Sequence, residues 1–161
     1  MKTRVIPVIL LILCLTLVLA SPAMAAQKPL TKIGAGANYE YSITVTAPSE
    51  INLGVMTVGG ITTGHSSADG SVETDATSYK VVATDQKSTQ PGYMNIAPDG
   101  SSTKLTHKLQ IGSSLGSLYD ADNPGVTYTD TTNLPFYVSQ HVETVDTPGS
   151  YSITITFVGS Y

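Results

Sequence analysis

Chemistry in a protein needs donors, nucleophiles or charges at workable spacing, and this chain of 161 residues offers few. Its histidines are His65, His107 and His141, its one cysteine is Cys14, and its acids number twelve. A zinc site draws three or four N, S or O ligands and usually announces itself as a local pair, whereas no two of these histidines lie within five residues of one another. His107 falls on an apolar alternation, where a hydrogen-bonded core histidine is the expected use. The densest oxygen cluster is Asp120-Ala121-Asp122-Asn123-Pro124-Gly125, with Asp130 shortly after. Calcium takes carboxylate and carbonyl oxygens from such loops, so Asp120, Asp122, Asn123 and Asp130 are the metal candidates. The spacing departs from the EF-hand and lacks its closing glutamate, and Asp or Asn before Pro-Gly also builds ordinary turns.

Catalytic patterns are absent. Gly112-Ser113-Ser114-Leu115-Gly116 comes nearest to a nucleophile elbow but lacks the strand-turn-helix context that exposes the serine. The acids stand singly in turns, so no glycosidase pair is indicated. Nine tyrosines without tryptophan could stack on sugars, yet most occupy alternating strand positions or strand ends, which assigns them to core and sheet surface. The expectation is a protein that is not an enzyme and carries no cofactor, with an ordinary turn favoured at the Asp120 cluster over a calcium ion there.

The elements that position these residues follow from the ends inward. Lys2 and Arg4 precede an apolar run from Val5 to Ala20, and Ser21-Pro22-Ala23-Met24-Ala25 supplies small residues at the third and first places before a cut. That order is a secretory signal peptide spanning Met1–Ala25. Its removal takes away the only cysteine and the only arginine, leaving six lysines against twelve acids and no disulfide. Nucleic acid is excluded as a partner, because phosphate recognition rests on clustered Lys and Arg. No second apolar stretch follows, so the product is expected outside the cytoplasm, without a membrane anchor.

Residues Ala26–Asn38 have few large side chains and read as an extended, flexible leader. From Tyr39 to Tyr161 the chain reads as one domain. Tyr39 to Thr46 alternates apolar and polar over four periods, the signature of a strand with one buried face. Ile51 to Val58 resumes the alternation with a register change at Gly54-Val55 that suggests a bulge. Further strands are expected near Ile61, at Ser78–Thr84, Tyr93–Ala97, Leu105–Ile111, Val126–Thr129, Leu134–Val142 and Tyr151–Phe157. In the Leu105–Ile111 strand Leu105, His107, Leu109 and Ile111 share a face. Gly112–Asp122 reads as a loop with Leu115, Leu118 and Tyr119 tucked inwards. Seven to nine short strands, turn signals about ten residues apart and no helical period describe a single antiparallel β-sandwich, Ig-like or jelly-roll-like.

The phrases Asn52-Leu53-Gly54-Val55-Met56, Tyr79-Lys80-Val81-Val82-Ala83-Thr84-Asp85, Lys104 to Ile111 and Pro148-Gly149-Ser150-Tyr151-Ser152-Ile153-Thr154-Ile155-Thr156-Phe157 resemble the WxL-like group of secreted surface-protein sandwiches over about residues 40 to 158. Tyr79 stands near where that group carries its tryptophan. The closing strand is also similar to spore-coat-U-type pilins and camelysin-type biofilm fibre proteins. These resemblances imply a cell-surface structural or adhesive protein whose partners are other copies of itself or envelope components. A fibre subunit would join its neighbour by strand pairing, with the leader laid along a neighbour's sheet edge and Leu30 and Ile33 filling pockets. The alternative is a soluble extracellular module that binds glycan or calcium.

Overall fold

A computed structural model describes residues 28–31, 38–96 and 103–161. The signal-peptide segment, and the parts of the leader outside 28–31 and Asn38, lie outside the described residues. Every regular element among the described residues is a β-strand. In chain order they are β1 (Lys28–Thr31), β2 (Asn38–Tyr41), β3 (Ile43–Thr46), β4 (Ile61–His65), β5 (Gly70–Thr74), β6 (Lys80–Thr84), β7 (Gln110–Ser114), β8 (Ser117–Asp120), β9 (Val126–Thr129), β10 (Asn133–Leu134), β11 (Tyr137–His141) and β12 (Thr156–Ser160).

Ten of them build three antiparallel sheets, ordered β10-β5-β3, β4-β11-β7-β8 and β12-β6-β9, and β1 and β2 pair as a separate hairpin with Leu30 opposite Tyr39. The architecture is an all-β, sandwich-like antiparallel fold. Its interior comes from alternate positions of facing strands: Ile43 of β3, Val72 of β5, Val81 and Ala83 of β6, Ile111 of β7, Val126 and Tyr128 of β9 and Val138 of β11 are buried together. Such side chains contribute about 1.5–3 kcal/mol each on leaving water, which is how a domain without a disulfide holds together. The sheets close on one another where β12 crosses β3. A Cβ added at Gly159 would stand 2.8 Å from Ile43 Cδ1, so only glycine admits that approach. Phe136 and Phe157 meet edge to face across the interior, ring centroids 5.2 Å apart.

Several expectations are corrected. The strand expected from Tyr39 to Thr46 is broken at Ser42, whose N–H donates to Asp75 Oδ1 at 2.6 Å and whose carbonyl accepts from the Thr74 hydroxyl. Gly70–Thr74, in a stretch whose glycines and serines predict loop, is the central strand of its sheet. Gly112–Asp122 is not a loop but most of the β7–β8 hairpin, turning at Leu115-Gly116, and Leu115 and Tyr119 face solvent. Leu105, Leu109 and Ile111 are buried as expected, while His107 is exposed. Asn133 to His141 is split by Pro135, which has no N–H for a ladder, into β10 and β11.

The largest departure concerns Ile51–Val58 and Tyr151–Ile155. Both have the sequence pattern of strands and alternate in burial, yet neither belongs to a ladder. The first is held by Ser49 N–H to the Ala68 carbonyl at 3.0 Å and Gly59 N–H to the Val142 carbonyl at 2.7 Å. The second is held by a two-way bridge between Asn95 and Ser152.

Candidate functional site

Among the predicted residues, Asp120 and Asp122 come together and a lysine stands between them. Lys108 Nζ lies 2.6 Å from Asp122 Oδ2 and 3.8 Å from Asp120 Oδ2, while Asp120 also accepts from the Gln110 side-chain amide. Burial pulls the Asp122 carboxyl upward, but the Lys108 ammonium and backbone N–H groups outweigh it and leave the carboxyl below its ordinary range. The Lys108 ammonium is correspondingly raised, chiefly by its hydrogen bond to Asp122. Asn123 is exposed and joined to Pro124 by a cis peptide. Asp130 is engaged elsewhere: its Oδ1 accepts from Tyr79 N–H at 2.7 Å and its own N–H donates to the Tyr79 carbonyl at 3.1 Å, closing the turn after β9. The four calcium candidates are therefore split between an ammonium-bridged pair, an exposed turn residue and a turn lock. Ser114 ends β7 and is followed by a strand, so the Gly112–Gly116 phrase has no elbow geometry.

His65 packs edge-on to Tyr137, ring centroids 5.9 Å apart. His107 and His141, remote in sequence, are stacked with ring centroids 4.6 Å apart at the end of β11, a meeting that spacing along the chain could not reveal.

The main concave feature is apolar. A cavity of about 760 Å³ opens between the two ladder-free segments. Ile51, Leu53 and Met56 form one wall and Tyr151, Ile153 and Ile155 the other; Leu105, Leu109, Phe136 and Val138 form the floor. Alternation explains the walls: every second side chain of an extended segment points inward. Gly64 of β4 seats the first wall, since a Cβ there would stand 2.8 Å from Ile51 Cγ2 and 2.9 Å from Leu53 Cδ2. Asp146 and Glu50 mark the rim. The Asp146 carboxylate accepts from Thr106 N–H at 2.8 Å, the Thr106 hydroxyl at 2.7 Å and Glu143 N–H at 2.8 Å. Burial raises that carboxyl, and these bonds with His107 nearby more than offset it, holding it below the ordinary range. Tyr151 donates to the Thr147 carbonyl, and burial beside Asp146 pushes its hydroxyl up.

The groove's walls alternate in burial like strands although neither is a strand; the first turns at Gly54, whose φ is +63°, and in the second Ser152 pairs with Asn95. Sequence alternation found the walls but not the gap between them. No protein-family model matches the chain, and no curated protein sequence is significantly similar to it. Among the described residues no helix is long and apolar enough to cross a membrane.

Proposed function

We propose that the protein is a secreted, non-enzymatic surface subunit that assembles with copies of itself by β-strand pairing, the leader of one copy lying in the apolar groove of the next. The observation that carries this reading is the groove itself, bounded by two strand-patterned segments that, among the described residues, no strand joins beyond the single Asn95–Ser152 bridge. An exposed sheet edge or gap of this kind is a template for another chain. An added strand gains affinity from main-chain hydrogen bonds and register from alternate side chains in pockets.

The leader suits the role on three counts. Its described strand, Lys28–Thr31, lies outside the three sheets and pairs with β2. It offers Leu30 and Ile33 as apolar side chains, and Lys28 to Ile33 extended reaches about 20 Å, the length of an ordinary strand. Its charge complements the body: residues 26–38 hold two lysines and no acid, whereas residues 39–161 hold four lysines and twelve acids. Association should therefore be steered by charge and weakened by salt.

Deleting Ala26–Ile33 tests it. Negative-stain electron microscopy and light scattering of the intact and deleted proteins should show filaments or oligomers only for the intact one. Unchanged assemblies after the deletion would remove the leader from the account.

A further inference from the structure

We infer that His107, His141 and Glu143 form a binding site for a divalent transition metal of the zinc class. Among the described residues, these three are the one group of His, Cys, Asp or Glu side chains whose ligand atoms converge, all lying within 4.8 Å of one another. His107 Nε2 is 2.9 Å and His141 Nδ1 3.8 Å from the same oxygen, Glu143 Oε1. A tetrahedral centre with metal–ligand bonds near 2.0–2.1 Å sets its ligand atoms about 3.3 Å apart, a spacing these two distances bracket. The two imidazoles stack with ring centroids 4.6 Å apart and planes 20° apart, so one metal in the plane of both rings requires them to turn about their side-chain torsions, a rotation open to these half-exposed side chains. Two imidazole nitrogens and one carboxylate select zinc, nickel or copper over calcium or magnesium, which want oxygen alone. Three protein ligands leave a fourth position for water.

The backbone behind the trio is more fixed than its surface location requires. Gln140 is fully buried, and its Nε2 donates both to the His107 carbonyl at 3.1 Å and to the His141 carbonyl at 2.8 Å, tying the two histidines through one side chain. Asp146 ties the other corner, receiving N–H groups from Thr106 and Glu143. His141 and Glu143, two residues apart at the end of β11, project to the same side, and the antiparallel run beyond the Ser139–Gln110 pair brings His107 beside them. Outer-shell partners that orient ligands in this way are a regular feature of metal sites. An adjoining concavity, lined by His107, His141, Ser139 and Gln110 among others, gives an ion and its water an approach from solvent.

The test uses the protein made from the full-length gene without a polyhistidine tag, titrated calorimetrically with zinc chloride, then with cobalt(II) followed by visible absorption. The result expected is one equivalent of zinc, a tetrahedral cobalt spectrum, and a fall in zinc affinity of about tenfold or more in each of His107→Ala, His141→Ala and Glu143→Gln. His65→Ala should bind like the parent. Circular dichroism of the metal-free variants checks folding, which substitutions at these half-exposed positions should preserve. Absence of zinc binding, binding that His65→Ala weakens as much as His107→Ala, or stoichiometric binding retained in all three ligand variants would each overturn the site and leave a His–Glu hydrogen bond only.

Discussion

Replacing Gln140 by glutamate is the sharpest probe of how the interior is wired. The side chain is fully buried and faces two carbonyls with its one donor group, while its Oε1 has no hydrogen-bond partner. A carboxylate would meet the His107 and His141 carbonyls with oxygen only, losing two hydrogen bonds worth about 0.5–1.5 kcal/mol each and adding the cost of a buried, unpaired charge. The variant escapes by binding a proton, so the folded-state pKa of residue 140 must rise above the unfolded value of about 4.3. A group raised in this way costs nothing extra below the unfolded pKa. As pH climbs from there toward the folded pKa, stability is lost at about 1.4 kcal/mol for every pH unit separating the two values. A separation of about two to three pH units is ordinary for a carboxyl buried without a countercharge. It makes Gln140→Glu about 3–4 kcal/mol less stable relative to the parent at pH 8 than at pH 4. Urea unfolding of parent and variant at the two pH values measures it. A gap between the proteins that does not change with pH would mean that residue 140 does not face those carbonyls in a closed interior.

Asp146→Ala should cost about 1–2 kcal/mol at pH 7, because it removes three donors' common acceptor at a partly exposed site. The Asp146 carboxyl is held below its ordinary 3.8, so its contribution is present above that value and fades as pH falls through the lowered pKa; the gap between parent and variant should close toward pH 2 in the same unfolding assay. Ile153→Asp places a charge on the groove wall at a half-buried position, and should abolish assemblies by electron microscopy while lowering the stability of the single subunit by no more than about 1–2 kcal/mol in urea.

Strand content is legible wherever large side chains alternate, as at Ile43–Thr46, Lys80–Thr84 and Tyr137–His141. It is hidden where the strand is built from small residues. Gly70–Thr74 has Val72 as its only large apolar side chain, and Gly112, Ser113 and Ser114 of β7 carry the composition of a turn. There the pairing partners, not local preference, decide the conformation. The converse failure is at Ile51–Val58 and Tyr151–Ile155, because alternation reports which side is buried and says nothing of whether a neighbour completes the ladder. Pairing also explains the sites: Asp130 is separated from Asp120 by the whole of β9, whereas His107 and His141 meet because their segments run side by side. The one local trace of that trio is His141-Val142-Glu143, which on a strand sends both end residues the same way.

Strand exchange between copies is tested most directly by cross-linking. Once residues 1–25 are removed the chain has no cysteine, so Leu30→Cys in one batch and Leu53→Cys in another introduce single thiols on the leader and on the groove wall. Mixed under mild oxidation, the two proteins should yield predominantly a heterodimer joined between the positions, and Ile153→Asp added to the groove partner should suppress it. Equal amounts of homodimers and heterodimer, or a yield indifferent to the groove substitution, would contradict the account.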